Sequence, residues 1–258
     1  MKLTTKLAIA ASAALLACAS ASAAEKIRIG IDGAYPPFNQ LSAGGELTGF
    51  DVDISNALCD EMKADCEFVI QDWDGMIPAL ISGKIDAVVA SMSITPERLK
   101  KIDFSKKYYN TPPGVAVLKD SELEGKSVEE LKGMVVGAQV SSTHADYAEQ
   151  KIPDIDLKLY PTPDEYKMEL EAGRVDAVID DSVVLSEWVK SEEGACCKLL
   201  MQLTPDPKIN GEGAGIAVKK GNTELADKLS DAIAVIRKNG KYKEINDKYF
   251  DFDVYGGE

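Results

Sequence analysis

Positive charge, histidine and thiols are scarce in this chain. It carries 29 lysines and arginines against 43 aspartates and glutamates, a formal net charge of −14. Nucleic acid and anionic membrane surfaces repel such a protein, so neither is an expected partner. One histidine, His144, and five cysteines with no Cys-x-x-Cys pair supply too few donors for a metal site. No apolar run reaches the roughly 18–20 residues needed to cross a bilayer. The nearest approach, Leu7 to Ala17, follows Lys2 and Lys6 and precedes "ASASAA". That order reads as a secretory signal peptide, residues 1–24, cut near Ala23 or Ala24, with processing before Cys18 as the lipoprotein alternative. Removing Lys2 and Lys6 takes the charge from −14 to −16. Export implies an oxidising compartment, where cysteines tend to pair. Cys59 and Cys66 are expected to form a disulfide, while the adjacent Cys196 and Cys197 read either as a vicinal bridge or as thiols.

What remains is a globular composition, 45% hydrophobic and 28% charged over 258 residues, enough for one large domain or two modest ones. Strand-like and helix-like patterns alternate. "KIRIGID", "CEFVIQ", "IDAVVAS", "GVAVLK", "MVVGAQV", "IDLKLY", "VDAVIDD" and "GAGIAVKK" read as strands. Helices are read at "GFDVDISNALCDEMKA", "DGMIPALISG", "STHADYAEQK", "DEYKMELEAG", "SVVLSEWVKS", "TELADKLSDAIAVIRKNG" and "KYKEINDKYF". Alternation of this kind predicts α/β architecture with largely parallel sheets. A repeat sharpens it: "GKIDAVV" at Gly83 returns as "GRVDAVI" at Gly173, aligning Leu80 with Leu170, Asp86 with Asp176 and Ser91 with Asp181. Two lobes built on one β-α-β plan are expected.

Ligands of open α/β sheets bind beyond the carboxyl ends of strands. Ser91 and Asp181 stand there, one per lobe. Facing lobes would then oppose Ser91, Ser93 and Arg98 to an acid, a layout suited to a zwitterion. The guanidinium of Arg98 can hold a carboxylate with two parallel hydrogen bonds, and Asp181 can accept from an ammonium.

The stretches "IGIDGAYPPFN", "LTGFDVDISNALC", "DWDGMIPAL", "SGKIDAVVASMSITPERLKKIDFSKKYY", "GRVDAVIDDSV" and "KYFDFDVYGGE" carry a resemblance over essentially the whole mature chain. The sequence resembles family 3 of the bacterial solute-binding proteins, the periplasmic proteins for polar amino acids, and within it the lysine/arginine/ornithine- and histidine-binding proteins most of all. The resemblance implies the two-lobed periplasmic binding fold of type II, each lobe a mixed sheet flanked by helices, joined by two strands. Lobe one would hold residues 25–109 and 213–258, and lobe two residues 110–212 with both hinge segments, near Asn110–Pro112 and Pro205–Glu212. It further implies a monomer without a cofactor that closes on one amino acid and hands it to an inner-membrane ABC permease.

By the same resemblance Arg98 takes the ligand carboxylate. Ser91, Ser93 and Thr143, with the neighbouring Met92 and Ser142, supply carboxylate and backbone contacts. Asp181 takes the α-ammonium, Tyr35 and Trp73 sandwich the side chain, and Asp32 and Asp51 lie near its terminus. Ala90 stands where the family pattern has a serine, and Trp73 where near relatives have phenylalanine. Asp32 and Asp51, with Asp180 as a third candidate, would favour a cationic side chain: arginine, lysine, ornithine or histidine. Plainer readings exist for several of these residues: Asp32 as a turn residue, Asp51 as a helix cap, and His144 as a rim or surface residue. Of Asp180 and Asp181, one is expected to face the ligand and the other solvent. A different class also fits the fold, the cyclohexadienyl dehydratases, which act on arogenate or prephenate through a cleft acid.

Overall fold

The computed structural model of the protein describes residues 24–257, so all but the last residue of the expected signal peptide, Cys18 included, lies outside the described residues. The first part of the chain forms β1 (Lys26–Ile31), β2 (Ala34–Tyr35), β3 (Asn39–Leu41), β4 (Leu47–Thr48), α1 (Phe50–Met62), β5 (Asp65–Ile70), α2 (Met76–Ser82), β6 (Ala87–Val88), α3 (Pro96–Leu99) and β7 (Ile102–Tyr109). The middle forms β8 (Pro113–Leu118), β9 (Val135–Gln139), α4 (Thr143–Lys151), β10 (Asp156–Tyr160), α5 (Pro163–Glu171), β11 (Ala177–Asp181), α6 (Ser182–Trp188) and β12 (Cys197–Gln202). The chain then returns through β13 (Ala214–Lys219), α7 (Thr223–Lys238) and α8 (Lys241–Tyr249).

Two five-stranded sheets result, ordered β5-β1-β6-β13-β7 and β10-β9-β11-β8-β12, beside a small sheet β2-β3-β4. In each large sheet three neighbouring strands are parallel and the fourth, β13 or β8, runs against them. That reversed strand is the first one made after the chain crosses from the other sheet. Each lobe is thus a mixed sheet.

Both sheets are covered on two faces, and strand alternation distributes the core accordingly. Ala87 and Val89 pack with Ile54 and Leu58 of α1 and with Leu229 and Ile233 of α7, while Val88 and Ala90 pack with Met76 and Leu80 of α2. In the second sheet Ala177 and Ile179 face Ala145 and Ala148 of α4, whereas Val178 faces Tyr166 and Leu170 of α5. The repeated phrase has a common job in both lobes. Asp86 accepts from the backbone N–H of Arg28 in β1 at 2.9 Å, and Asp176 accepts from that of Val135 at the start of β9 at 2.8 Å. The glycines before them, Gly83 (φ 75°) and Gly173 (φ 66°), take the left-handed turn that ends α2 and α5.

Sequence patterning misses β7, β12 and the small sheet, and it overextends β6, which pairs through two residues only. Cys59 and Cys66 form the expected disulfide at the end of α1. Cys196 is exposed and Cys197 buried, with sulfurs 2.7 Å apart as free thiols.

Candidate functional site

The segment after β6 decides one wall. Ser91 has a positive φ of 57°, which turns the chain as it leaves the sheet. From there alternation sends Ser91 and Ser93 toward the space between the lobes and Met92 into the α2 core, where it is 1% exposed. Met92 therefore contributes packing and a backbone carbonyl, which accepts from Gly215 at 3.0 Å. Thr95 caps the short α3, accepting from the N–H of Arg98 at 3.2 Å, and this places the arginine at the cleft.

The Arg98 guanidinium is buried. It donates to the carbonyl of Ser93 at 3.0 Å and to that of Ser141, in lobe two, at 3.1 Å. Its centre stands 5.3 Å from the Trp73 ring. Burial lowers its pKa to about 10, with Asp146 opposing, so it stays cationic at neutral pH. A guanidinium has five N–H donors, and two such bonds leave donors for a further acceptor.

The opposite wall is built at the end of β11. Asp181 caps α6, accepting from Val183 N–H at 2.8 Å, and also takes the hydroxyl of Thr111 from the crossing segment. Burial raises its pKa to about 6, against the opposing effects of the Thr111 bond and His144. Asp181 lines a cavity of about 380 Å³ together with Tyr35, Ser91, Ser93, Thr143 and His144. The same five residues line an adjoining cavity with Arg98, Asp32, Trp73, Ala90, Gln139 and Ser142. Arg98 and Asp181 thus stand on either side of one continuous crevice.

Two polar atoms in the Arg98 cavity are buried without a hydrogen-bond partner, Asp32 Oδ1 and Trp73 Nε1. Burial, reinforced by the nearby charge of Asp51, raises Asp32 to about 7.

The structure corrects three expectations. Asp51 does not reach the cleft. It is fully buried behind Ser91, accepting from Tyr108 at 2.7 Å, Asn39 at 2.9 Å and Ser91 at 3.0 Å, and so holds Ser91 in place from behind. Asp180 does not face solvent. It is 2% exposed, and four donors surround it: Tyr35 OH at 2.6 Å, the Asp181 N–H at 2.7 Å, His144 Nδ1 at 2.9 Å and Tyr166 OH. His144 is not a rim residue, because it lines both cavities. Burial works against its charge, but Asp180 outweighs burial and raises its pKa, while the same pairing holds Asp180 below the ordinary carboxylate range. Sequence reasoning also missed Gln139, Tyr109, Asn110 and Thr111. Their one legible trait was position, at a strand end or beside the Pro112-Pro113 break.

Two mixed α/β lobes, crossed twice by the chain and closing over a crevice with a guanidinium on one wall and a carboxylate on the other, define a cleft-binding protein for a small polar molecule. The chain belongs to the bacterial extracellular solute-binding proteins, family 3, whose pattern matches residues 27–252. It is 45% identical, over 97% of its length and 98% of the relative's, to the L-arginine-binding protein of Pseudomonas aeruginosa. It is 39% identical, over 94% of its length and 96% of the relative's, to the histidine-binding periplasmic protein of Salmonella typhimurium. Among solved structures, an ancestral arginine-binding protein bound to arginine superposes with a TM-score of 0.80 at 38% identity, covering 87% of this chain and 98% of that one. These relatives are named for binding rather than catalysis, and the dehydratase alternative is set aside: this is a solute-binding protein.

Proposed function

We propose that this protein captures a cationic amino acid, arginine foremost and lysine, ornithine or histidine after it, in the periplasm, and delivers it as a monomer to an inner-membrane ABC permease. The observation that carries the reading is the pair of adjoining cavities, one lined by Arg98 and the other by Asp181, that share Tyr35, Ser91, Ser93, Thr143 and His144. Arg98 takes the ligand carboxylate, helped by Ser93 and Thr143, and Asp181 takes the α-ammonium. The side chain lies along Tyr35 and Trp73 toward Asp32. The unpartnered Asp32 Oδ1 asks for a donor, and a buried carboxylate gains most from a charged one. Binding names such as that of the Pseudomonas relative support arginine. The two lobes are read as residues 25–109 with 213–258, and residues 110–212. The crossings near Asn110–Pro112 and Pro205–Glu212 act as the hinge that lets the lobes part and close.

Thermal denaturation in the presence of each amino acid tests this, since a ligand of the native state alone raises the melting temperature by mass action. Arginine should shift it by several degrees, and citrulline, its neutral near-isostere, by far less. Equal shifts for the two would mean the acids do not read charge, and no shift with any cationic amino acid would remove the proposal.

A further inference from the structure

Asp180 has no place in the clamp just described, yet it is one of the most heavily bonded side chains in the molecule. Three of its four donors belong to lobe two: Tyr166 on α5, His144 on α4 and the backbone of Asp181. The fourth is the hydroxyl of Tyr35, from lobe one, 145 residues away in sequence. The three intralobe donors can exist whatever the lobes do. The Tyr35 bond can exist only when the lobes meet. Around it the contact is closely packed: Tyr35 is 8% and Asp180 2% exposed, and Val183 and Val184 at the start of α6 share one apolar cluster with Tyr35, Phe38 and Tyr109. A charge-assisted bond in such surroundings is among the stronger hydrogen bonds a protein makes.

We propose that Asp180 is a positioning residue that latches the lobes, its carboxylate pre-oriented by Tyr166 and His144 to receive the Tyr35 hydroxyl as the cleft closes. Adjacent acids then divide the work: Asp181 touches the ligand, and Asp180 sets how long the closed cleft keeps it. This rests on the reading that the lobes close on an amino acid. Release requires breaking the Tyr35–Asp180 bond, whereas encounter with the open cleft does not. The latch therefore governs the dissociation rate.

Stopped-flow binding of L-arginine to wild type, Tyr35→Phe, Asp180→Asn and the double variant tests the latch. Each single change should raise the dissociation rate by about tenfold and leave the association rate within about twofold. The double variant should dissociate no faster than the faster single one, because Tyr35→Phe removes the bond and Asp180→Asn removes the charge that strengthens that same bond. Tyr166→Phe removes a hydroxyl from the same carboxylate without crossing the cleft. It should lower the melting temperature yet speed dissociation clearly less than Tyr35→Phe does, because His144 and the Asp181 N–H still orient the carboxylate. Multiplying effects in the double variant, unchanged rates in Tyr35→Phe, or an equal rate effect in Tyr166→Phe would each overturn the proposal. If wild type does not bind arginine, the ligand reading fails separately. The same rate comparison with whichever of lysine, ornithine or histidine raises the melting temperature then decides the latch: faster dissociation from Tyr35→Phe and Asp180→Asn supports it, and unchanged dissociation, or no binding of any of them, ends it. Should Asp180→Asn not fold, Tyr35→Phe alone still gives each of these readouts.

Discussion

The two lobes share a framework and differ at their strand ends. In both, a helix closes with a left-handed glycine, Gly83 or Gly173. In both, an aspartate three residues on ties down the neighbouring parallel strand, and a short apolar strand follows. The lobes part company where those strands stop. Ser91 leads into Ser93 and Arg98 on one side, while Asp181 caps a helix on the other. Fold-determining residues repeat because both sheets pose the same problem of burial and edge hydrogen bonding. Residues beyond the strand ends diverge because they face the crevice, where the sheets impose no common demand, and the proposed clamp asks opposite charges of its two walls.

Breaking the asymmetry at Arg98 should have the largest effect. Arg98→Ala removes the only guanidinium lining the two cavities, and arginine binding should weaken by about 5 kcal/mol or more, beyond detection by calorimetry. The melting temperature should move by only a few degrees, since what is lost is two hydrogen bonds to backbone carbonyls bordering the crevice and one contact with the Trp73 ring. Measurable affinity in a folded Arg98→Ala protein would place the carboxylate elsewhere. Asp181→Asn comes next. Asparagine keeps the α6 cap but not the charge, so the expected cost is about 2–5 kcal/mol in affinity. A change of a few tenths would move the ammonium off this wall.

A third comparison sets acid against acid by pH. Asp32 titrates at about 7 and Asp181 at about 6, both raised chiefly by burial. A raised carboxyl holds its proton at mildly acidic pH, and a cationic ligand must displace it. Affinity for arginine should therefore rise as pH climbs from 5 through 7 and level off above 8, with a gain of about tenfold or more across the window. Proton release should be seen by calorimetry at pH 6.5 in buffers of different ionisation enthalpy and should shrink as pH approaches 8, above the range of both carboxyls. Asp32→Asn should flatten the upper part of the curve. A flat profile in the wild type would mean these carboxyls are already ionised before the ligand arrives.

Much of this fold was legible because it rests on local rules. Apolar period marked most helices and strands, and the repeat at Gly83 and Gly173 announced the two lobes. The elements that escaped lack a clean period: β7, "IDFSKKYY", pairs with β13 through shifted register, and β12 breaks its pairing with β8 at Leu199 and Met201. Among the residues that line the crevice, Ser93, Arg98 and Asp181 could be anticipated because ligands lie beyond strand ends, and Trp73 and Thr143 because of the resemblance. The roles of Asp51, Asp180 and His144 could not. Each is decided by partners distant in sequence, Tyr108 for Asp51 and Tyr35 for Asp180, and no periodicity reports a contact of that kind.

The smallest expected effect tests the shared framework. Gly83 and Gly173 both have positive φ, and a methyl group added at either would meet nothing within 4 Å. The cost of Gly83→Ala and of Gly173→Ala is then purely conformational: an L-residue held in the left-handed region loses about 1–2 kcal/mol, less what is gained by stiffening the unfolded chain. Both substitutions should therefore lower unfolding free energy by about 1 kcal/mol, and by nearly the same amount, when measured by urea denaturation. Neither glycine lines the crevice, so arginine affinity should be unchanged in both. A marked inequality between the two would show that one helix end carries a constraint the other lacks, and that the lobes are alike in outline but not in the physics that closes their helices.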